Sequence, residues 1–412
     1  MNTRRWPDTS FARCVLAMLG GGAALLLAAC ATKAPSAAIS TNELPFQQAV
    51  ETATDALVAQ TQKLPGFLAK MEAKIDAKLN KRGVVLDPSL DAGTGQQTTA
   101  TQQLDKLLTE RLSSEYAQFD VLPFRAANLT QAQYLLTATM TRVRGDNTKS
   151  PYRIDVAMVD LKTGAVAAQA SAMARPEGID MSPLPYYRDS PVLVKDKVIE
   201  GYVRTSATAP GERADAAYIE RISTAALIND ANILYNNAKY QESLGQYRSA
   251  LAAPAGEQMR VLNGIYLSNV KLGRLAEAEQ AFGRVVKLGI AYNELGVKFL
   301  FNPGGTEFWS DQKVSGAYAM WLRQIAKEGA AAKVCMNIVG HTSKTGSGAA
   351  NDNLSLRRAT LIQQRLAGEG GETAARTKPV GMGFKENIVG SGTDDGVDAL
   401  DRRVEFRIVP CA

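Results

Sequence analysis

The chain has 412 residues, four cysteines, one histidine and a formal net charge of +6 at pH 7, from 47 basic and 41 acidic residues. A single histidine excludes sites built from two or three imidazoles, which removes most zinc centres. Four cysteines are too few for a disulfide scaffold of this length. A hydrophobic fraction of 45% is typical of globular protein. The length predicts about two to four domains.

The first thirty residues have the composition of a bacterial export signal. Three arginines precede an apolar stretch at 15–27, which is shorter than the about 20 residues of a membrane-spanning helix. The tetrad Leu-Ala-Ala-Cys that ends at Cys30 resembles the lipobox of bacterial lipoproteins. The resemblance implies that residues 1–29 are removed and that Cys30 carries a lipid. Ala31 follows, which by the known sorting rule favours the outer membrane, with the protein facing the periplasm. An ordinary signal that ends at an incidental cysteine is the alternative.

The charge of the mature chain argues against a nucleic-acid partner. Without residues 1–29 the chain keeps 44 basic and 40 acidic residues, and it has no block of five or more basic residues. Binding to phosphate backbones needs clustered lysine and arginine. Residues 30–44 are rich in Ala, Ser, Thr and Pro and lack apolar periodicity, which predicts an extended tether of at most about 50 Å.

Residues 45–210 are predicted to form an α/β sandwich of helices on one sheet. Helical spacing of apolar residues from Phe46 to Leu79, interrupted at Pro65-Gly66, predicts two helices. Apolar runs at 84–86 and 119–124 predict two short strands on either side of another helix. The remaining predicted strands are hairpin-like and lie at 134–143, 152–161 and 165–174.

Two segments of this region, VVLDPSLDAGTGQQTTATQQLDKLL and YRIDVAMVDLKTGAV, resemble in their order the FlgO, CsgG and LpoB group of envelope lipoprotein domains. The resemblance implies a role in partner binding or assembly, without catalytic activity.

Residues 211–294 are predicted to be Ala-rich helices with an internal repeat. The segment that begins at Lys239 recurs at Arg274, with Tyr240 matching Leu275 at an offset of 35 residues. The pattern resembles two tetratricopeptide repeats, whose period is about 34 residues. Because about three repeats are needed for independent stability, these two are expected to pack against a neighbouring domain. A spacer between domains and a peptide-binding groove are both open as roles.

Residues 295–412 are predicted to follow the order βαβαββ. Strands are expected at 297–301, 334–339, 380–384 and 403–409, with helices around Trp321 and at 354–366. The segments IVGHTSKTG, NDNLSLRRA, VGMGF and DRRVEFRI stand in the order and spacing of the OmpA-like peptidoglycan-binding domain, which this region resembles. The whole chain is thus a multidomain protein: an α/β sandwich, TPR-like helices and an α/β OmpA-like domain.

The OmpA-like resemblance implies a pocket for the diaminopimelate of the peptidoglycan stem peptide. This group presents a carboxylate and an ammonium, which call for a guanidinium and a carboxylate in the pocket. The family's arginine corresponds to Arg358 and the asparagine of its motif to Asn351. The turn after the second strand adds His341, Thr342 and Ser343 to the predicted peptidoglycan-binding residues.

The family's aspartate corresponds to Ser343, so the predicted pocket lacks its main partner for the ligand ammonium. A charged hydrogen bond contributes about 1.5–3 kcal/mol, and its loss weakens binding by about one to two orders of magnitude. Asp352 is the candidate replacement. A domain that keeps the fold and serves only protein contacts is the alternative. His341 is expected to shape the turn and not to act in acid–base catalysis. The acidic loop at 390–398 lacks a full calcium-binding pattern, so no metal is expected.

The cysteines that remain in the mature chain beside Cys30 are Cys335 and Cys411. They lie at the start of the second and at the end of the last predicted strand of the OmpA-like region, where antiparallel neighbours would bring them together. In an oxidising periplasm we predict a disulfide that closes a loop of about 75 residues. Two buried free thiols are the alternative.

Together, these features predict a non-enzymatic lipoprotein that links the outer membrane to peptidoglycan and presents modules to unidentified envelope proteins, without a cofactor. The alternative is an assembly or regulatory factor for a peptidoglycan synthase, a secretion apparatus or a flagellum, which the OmpA-like domain only positions. An enzyme is the least favoured class, because the sequence shows no nucleophile elbow, phosphate loop or metal cluster.

Overall fold

The computed structural model describes residues 42–61, 81–143, 150–293, 295–389, 392, 394 and 398–411, which belong to one compact unit. The export signal, Cys30, most of the tether and the helix predicted to end near Leu79 lie outside these residues. No helix in the described ranges is long and apolar enough to cross a membrane. The fold mixes helices and sheets, as the sequence predicts.

Seven of the described strands form a mixed sheet in the first half of the chain. Its order is β1–β7–β6–β5–β2–β4, and β3 pairs with β5. The strands β5, β6 and β7 form an antiparallel meander, and β2 runs parallel to both β4 and β5. The bounds are Glu43–Leu44 (β1), Arg82–Leu86 (β2), Leu90–Asp91 (β3), Phe119–Leu122 (β4), Tyr134–Arg142 (β5), Tyr152–Asp160 (β6) and Val166–Ala174 (β7).

The described helices of the first half and of the repeat region include three, α3, α4 and α5, that lie outside the predicted helical segments. Their bounds are Phe46–Thr61 (α1), Thr99–Glu115 (α2), Ala126–Leu129 (α3), Pro185–Asp189 (α4), Lys197–Ser206 (α5), Ala216–Ile219 (α6), Ile222–Asn236 (α7), Tyr240–Ala252 (α8), Met259–Lys271 (α9) and Leu275–Tyr292 (α10).

Helices cover both faces of the seven-stranded sheet. On one face α1 and α2 pack against alternate residues of β5 and β6, and α2 begins with a capping box between Thr98 and Thr101. On the other face lie α5, α6 and the start of α7. The sequence predicts helices on one sheet within residues 45–210, whereas α6 and α7 of this second layer lie beyond residue 210. Cover on both faces explains why β5 and β6 are buried almost throughout.

The repeat helices α7 to α10 show the predicted internal repeat in their turns. Ala238 and Gly273 are 35 residues apart in sequence, and both have positive φ, at 58° and 70°. The following amides, of Lys239 and Arg274, each donate a 2.9 Å hydrogen bond to the carbonyl five residues earlier. The two helix pairs therefore enter and leave their turns in the same way.

The repeat helices share a hydrophobic core with the C-terminal region. The ring of Phe282, in α10, stacks on Trp321 with centroids 5.5 Å apart. The indole Nε1 of Trp321 donates a 2.9 Å hydrogen bond to the Tyr266 hydroxyl in α9. The two repeats thus pack against the neighbouring region, as expected from their small number.

Four strands, in the order β10–β9–β11–β8, form the C-terminal sheet. Strand β10 runs parallel to β9, and β11 is antiparallel to both β9 and β8. The elements along the chain follow the predicted βαβαββ order. Their bounds are Phe299–Leu300 (β8), Gln312–Ser315 (α11), Tyr318–Ala332 (α12), Cys335–Gly340 (β9), Gly348–Glu369 (α13), Gly371–Ala375 (α14), Thr377–Gly381 (β10) and Arg403–Val409 (β11).

Three elements of the C-terminal region differ clearly from their predicted bounds. Strand β10 begins at Thr377, three residues before the predicted 380–384. Strand β8 is shorter than 297–301 because Val297 forms its bridge with Val192, outside this sheet. Helix α13 begins six residues before the predicted Leu354, since the Ser347 hydroxyl caps it by accepting a hydrogen bond from the Ala350 amide.

Candidate functional site

Two glycines bring helix α13 against the ends of β9 and β10. A Cβ atom on Gly340, the last residue of β9, would lie 2.0 Å from the Ser355 carbonyl oxygen. One on Gly381, the last residue of β10, would lie 2.6 Å from the Asp352 carbonyl oxygen. Only glycine permits this approach. The turn that follows β9 therefore lies beside α13. These two elements carry the residues that the sequence predicts to form a pocket.

Arg358 lies beneath the turn and donates to three backbone carbonyls. Its side chain is fully buried. The guanidinium donates hydrogen bonds to the carbonyl oxygens of Gly305 at 2.9 Å, His341 at 3.1 Å and Asn302 at 2.9 Å, and it lies over the Phe301 ring. Burial lowers the pKa of Arg358 to about 10, which leaves it cationic at neutral pH. Contact with a ligand carboxylate would therefore require the loop after β8 to move.

The predicted residues Asn351, Thr342 and His341 are also buried and hold the turn in place. Asn351 Nδ2 donates a 2.8 Å hydrogen bond to the carbonyl of Thr345. The amide of Thr342 donates a 2.9 Å hydrogen bond to the carbonyl of Gly383. All five predicted residues are thus buried, whereas the segment 344–350 beside them in sequence is exposed.

Asp394 brings a carboxylate next to Ser343. Its side chain accepts hydrogen bonds from the Ser343 hydroxyl at 2.5 Å and the Thr345 hydroxyl at 2.8 Å. Arg402 Nη1 lies 3.0 Å from the same carboxylate. Burial opposes ionisation, but these two hydroxyls and the Arg402 charge outweigh it and lower the pKa of Asp394. The side chain is 31% exposed, so a charged carboxylate faces solvent here.

Other aspartates near the turn are already engaged. Asp352, the replacement expected from the sequence, accepts hydrogen bonds from Lys385 Nζ at 3.0 and 3.1 Å. Asp398 accepts from the Asp394 amide at 3.0 Å, and Asp401 accepts from the amides of residues 388 and 389 at 2.7 and 3.0 Å. The last two therefore shape the loop that carries Asp394. Sequence reasoning treated that loop as a solvated turn and missed Asp394, although its acidic composition was a signal.

A partly buried ion-pair network lies beside His341, whose Nε2 is 3.3 Å from the Glu405 carboxylate. His341, Glu386 and Glu405 each place an atom that could ligate a metal within 4.8 Å of the others. They are the only group of this kind in the described ranges. Glu405 accepts hydrogen bonds from Arg403 at 2.9 Å and Arg407 at 2.8 Å, and Glu386 also pairs with Arg407. Burial lowers the pKa of His341, so the imidazole is neutral at neutral pH. The guanidinium groups already balance these carboxylates, and we assign no metal here.

Cys335 and Cys411 form a disulfide in the structure, with a Cα–Cα distance of 5.1 Å and a sequence separation of 76 residues. The pairing of β9 with β11 brings them together, because Cys335 stands opposite Val409 in the register. The bond joins the two central strands of the C-terminal sheet at the end opposite the turn.

Comparisons with known proteins give short or distant matches. No protein-family model matches the chain. The protein called "Protein CTR9 homolog", from Arabidopsis thaliana, is 41% identical over 63 residues, which cover 15% of this chain and 6% of that protein. A solved structure, "Crystal structure of the peptidoglycan-associated lipoprotein from Burkholderia pseudomallei", is 23% identical and covers 27% of this chain and 89% of that chain, with a TM-score of 0.23. Neither likeness is extensive enough to place the chain in a family.

Proposed function

We propose that this chain is a non-enzymatic envelope lipoprotein whose C-terminal region binds the diaminopimelate of peptidoglycan, with Asp394 as the partner of the ligand ammonium. The observation that carries the proposal is the hydrogen bond from Ser343 to Asp394, which puts a carboxylate at the site where the OmpA-like family has its aspartate. A partly exposed, ionised carboxylate held by two hydroxyls is a suitable partner for an ammonium group.

The positive side of the proposed pocket comes from Arg358, Arg402 and the start of α13. Both arginines are buried, and residues 347–350 at the start of α13 are exposed. A helix N-terminus and two buried cations together favour an anion above them. In this proposal the ligand carboxylate binds over this region, after the loop that covers Arg358 opens.

The proposed membrane attachment is the lipid at Cys30, which precedes the tether. One lipid attachment and one wall-binding site on the same chain raise the effective concentration of the second site near the wall. A weak pocket is then sufficient to hold the protein between the outer membrane and peptidoglycan. The residues of the site are proposed to bind and not to catalyse.

Sedimentation with purified peptidoglycan tests the wall-binding proposal. We expect the full chain to sediment with diaminopimelate-type peptidoglycan more than with lysine-type peptidoglycan, whose stem lacks the second carboxylate. Asp394→Asn should weaken this binding by about ten- to hundredfold. Glu372→Gln, which removes an exposed acid from α14, serves as the control and should bind as the wild type does. Equal sedimentation of wild type and Asp394→Asn would reject the role of Asp394.

A second candidate function, an assembly or regulatory factor, is favoured by a cleft of about 530 Å³ between the seven-stranded sheet and α7. Ile233 lines this cleft and is 49% exposed, so it offers an apolar contact to a partner. Crosslinking in the cell envelope tests this function. One dominant protein partner mapped to residues 45–290 would support it, and crosslinks confined to residues 295–412 would count against it.

A further inference from the structure

A second cavity, of about 300 Å³, lies between the seven-stranded sheet and the C-terminal sheet. The sheet region contributes Tyr152 and Met181 to its walls, and the C-terminal region contributes Leu300, Trp309 and Leu400. The volume is at the lower end of the about 300–1,000 Å³ that is usual for ligand pockets. This cavity is separate from the proposed peptidoglycan site in the residues that line it.

Lys298 lines this cavity as a buried cation without a partner. Lys298 is only 4% exposed. No described residue accepts a hydrogen bond from its ammonium or forms an ion pair with it. Burial, together with the charge of Arg403, lowers the pKa of Lys298 to about 8. The ammonium is still charged at neutral pH, and an unpaired buried charge is costly unless an anion joins it.

The acids that line the cavity do not serve as that anion, because their own loops use them. Asp91 Oδ1 accepts hydrogen bonds of 2.7 Å from both the amide and the hydroxyl of Thr94. Asp311 caps α11 by accepting a 2.9 Å hydrogen bond from the Lys313 amide. Arg188 also lines the walls, and its guanidinium pairs with Asp189 at 3.1 Å. The cavity therefore combines apolar walls with the ammonium of Lys298, which has no partner among the described residues.

We propose that this cavity binds a small amphipathic carboxylate, whose anionic end pairs with Lys298 and whose apolar body packs against Trp309 and Leu300. One unpaired ammonium matches one carboxylate, and the apolar walls match an alkyl or aromatic body. The backbone fixes the lysine in place, since its amide donates a 2.9 Å hydrogen bond to the Pro191 carbonyl of the adjoining segment. The site thus exists only where the two regions of the chain meet.

Calorimetry with octanoate and with 4-phenylbutyrate on the full chain tests this proposal, with octanamide as the uncharged probe. We expect one octanoate site on the wild type, and binding about tenfold or more weaker for octanamide. Lys298→Met should lose octanoate binding by a similar factor. The control Lys378→Met, on the exposed edge of β10, should bind as the wild type does. Octanoate binding that survives Lys298→Met, equal binding of octanamide, or no binding of either acid would overturn the proposal.

Lysine acetylation gives a second measurement that does not depend on a variant. Lys298 should be acetylated more slowly by acetic anhydride when octanoate is present, while Lys378 should react at an unchanged rate, as read by peptide mass spectrometry. Octanoate that leaves the rate at Lys298 unchanged would contradict the proposed pairing. Because no peptidoglycan is present in either experiment, their outcome is independent of the wall-binding proposal.

Discussion

The Ser343 hydroxyl donates a 2.5 Å hydrogen bond to the carboxylate of Asp394, which lies 51 residues further along the chain. The acid expected in the turn after β9 is therefore supplied from the loop before β11. The Ser343 hydroxyl orients the carboxylate of Asp394 and lowers its pKa. In the proposed wall-binding site, the Asp394 carboxylate therefore takes the place of the aspartate that the OmpA-like family has at position 343.

An exchange of the two side chains tests this relocation. Asp394→Asn should weaken peptidoglycan binding, and the double variant Ser343→Asp with Asp394→Asn should recover at least about tenfold of the lost affinity, because it restores one carboxylate beside Arg402. Binding constants from sedimentation with diaminopimelate-type peptidoglycan measure the recovery. A double variant that binds no better than Asp394→Asn would show that the two positions are not equivalent.

Arg358 should matter for stability. Arg358→Lys keeps the charge but loses the planar fork that reaches three carbonyls, and we expect it to lower the free energy of unfolding by about 3 kcal/mol or more. Urea unfolding followed by circular dichroism measures the change. The neighbouring Arg357→Lys is an exposed control that should change stability by less than about 0.5 kcal/mol. If both variants unfold at the wild-type midpoint, the structural role of Arg358 is refuted.

The disulfide should contribute to the stability of the C-terminal sheet. Replacing both Cys335 and Cys411 by serine opens a loop with a sequence separation of 76 residues. In the chain-entropy treatment this costs about 4 kcal/mol in the free energy of unfolding. Urea unfolding with and without dithiothreitol measures it, and the reductant should have no effect on the double variant. Two alkylatable thiols in the oxidised wild type would exclude the bond.

Stability should fall as the pH rises from about 4 to about 7, in part because of Asp105. Burial raises the pKa of this carboxyl to about 7 in the folded state, and hydrogen bonds from Ser89 only partly offset it. The folded chain therefore holds the proton more tightly than the unfolded chain, whose carboxyl has a pKa near 3.9. The stability present below that value is lost as the pH passes through the folded pKa.

Asp105→Asn keeps an acceptor for Ser89 and should flatten this pH dependence. Three pKa units correspond to at most about 4 kcal/mol, and the partial exposure of Asp105 makes the expected gain at pH 8 smaller. Thermal or urea unfolding at pH 5 and pH 8 measures it. The exposed Asp120→Asn is the control. A slope in Asp105→Asn equal to that of the wild type would contradict the assignment.

Local patterns in the sequence predict the elements that local physics determines. Strand β11 occupies the predicted residues 403–409, because its alternation of apolar and polar side chains matches one buried face. Strand β8 was predicted too long, since the partner of Val297 comes from another part of the chain. The start of α13 depends on a cap at Ser347, which apolar periodicity does not report.

The candidate sites also contain some residues that a local motif predicts and others that only the fold brings together. The turn with His341 and the helix with Arg358 were found from their motif, which is local in sequence. Asp394 was missed because its partner Ser343 is distant along the chain. Lys298 gave no signal at all, since a lysine in a short strand is usually exposed and only the neighbouring sheet region buries it.

The stack of Phe282 on Trp321 has a mechanical consequence for the proposal that the protein is attached both to the membrane and to the wall. The repeat helices and the C-terminal sheet share one core, so tension between the two attachments cannot part them without exposing that core to water. The repeat helices and the C-terminal sheet are therefore expected to move as one rigid body. In the proposed attachment, the residues between Cys30 and Phe46 would set how far the wall-binding site reaches from the membrane, so changing their number should change that reach.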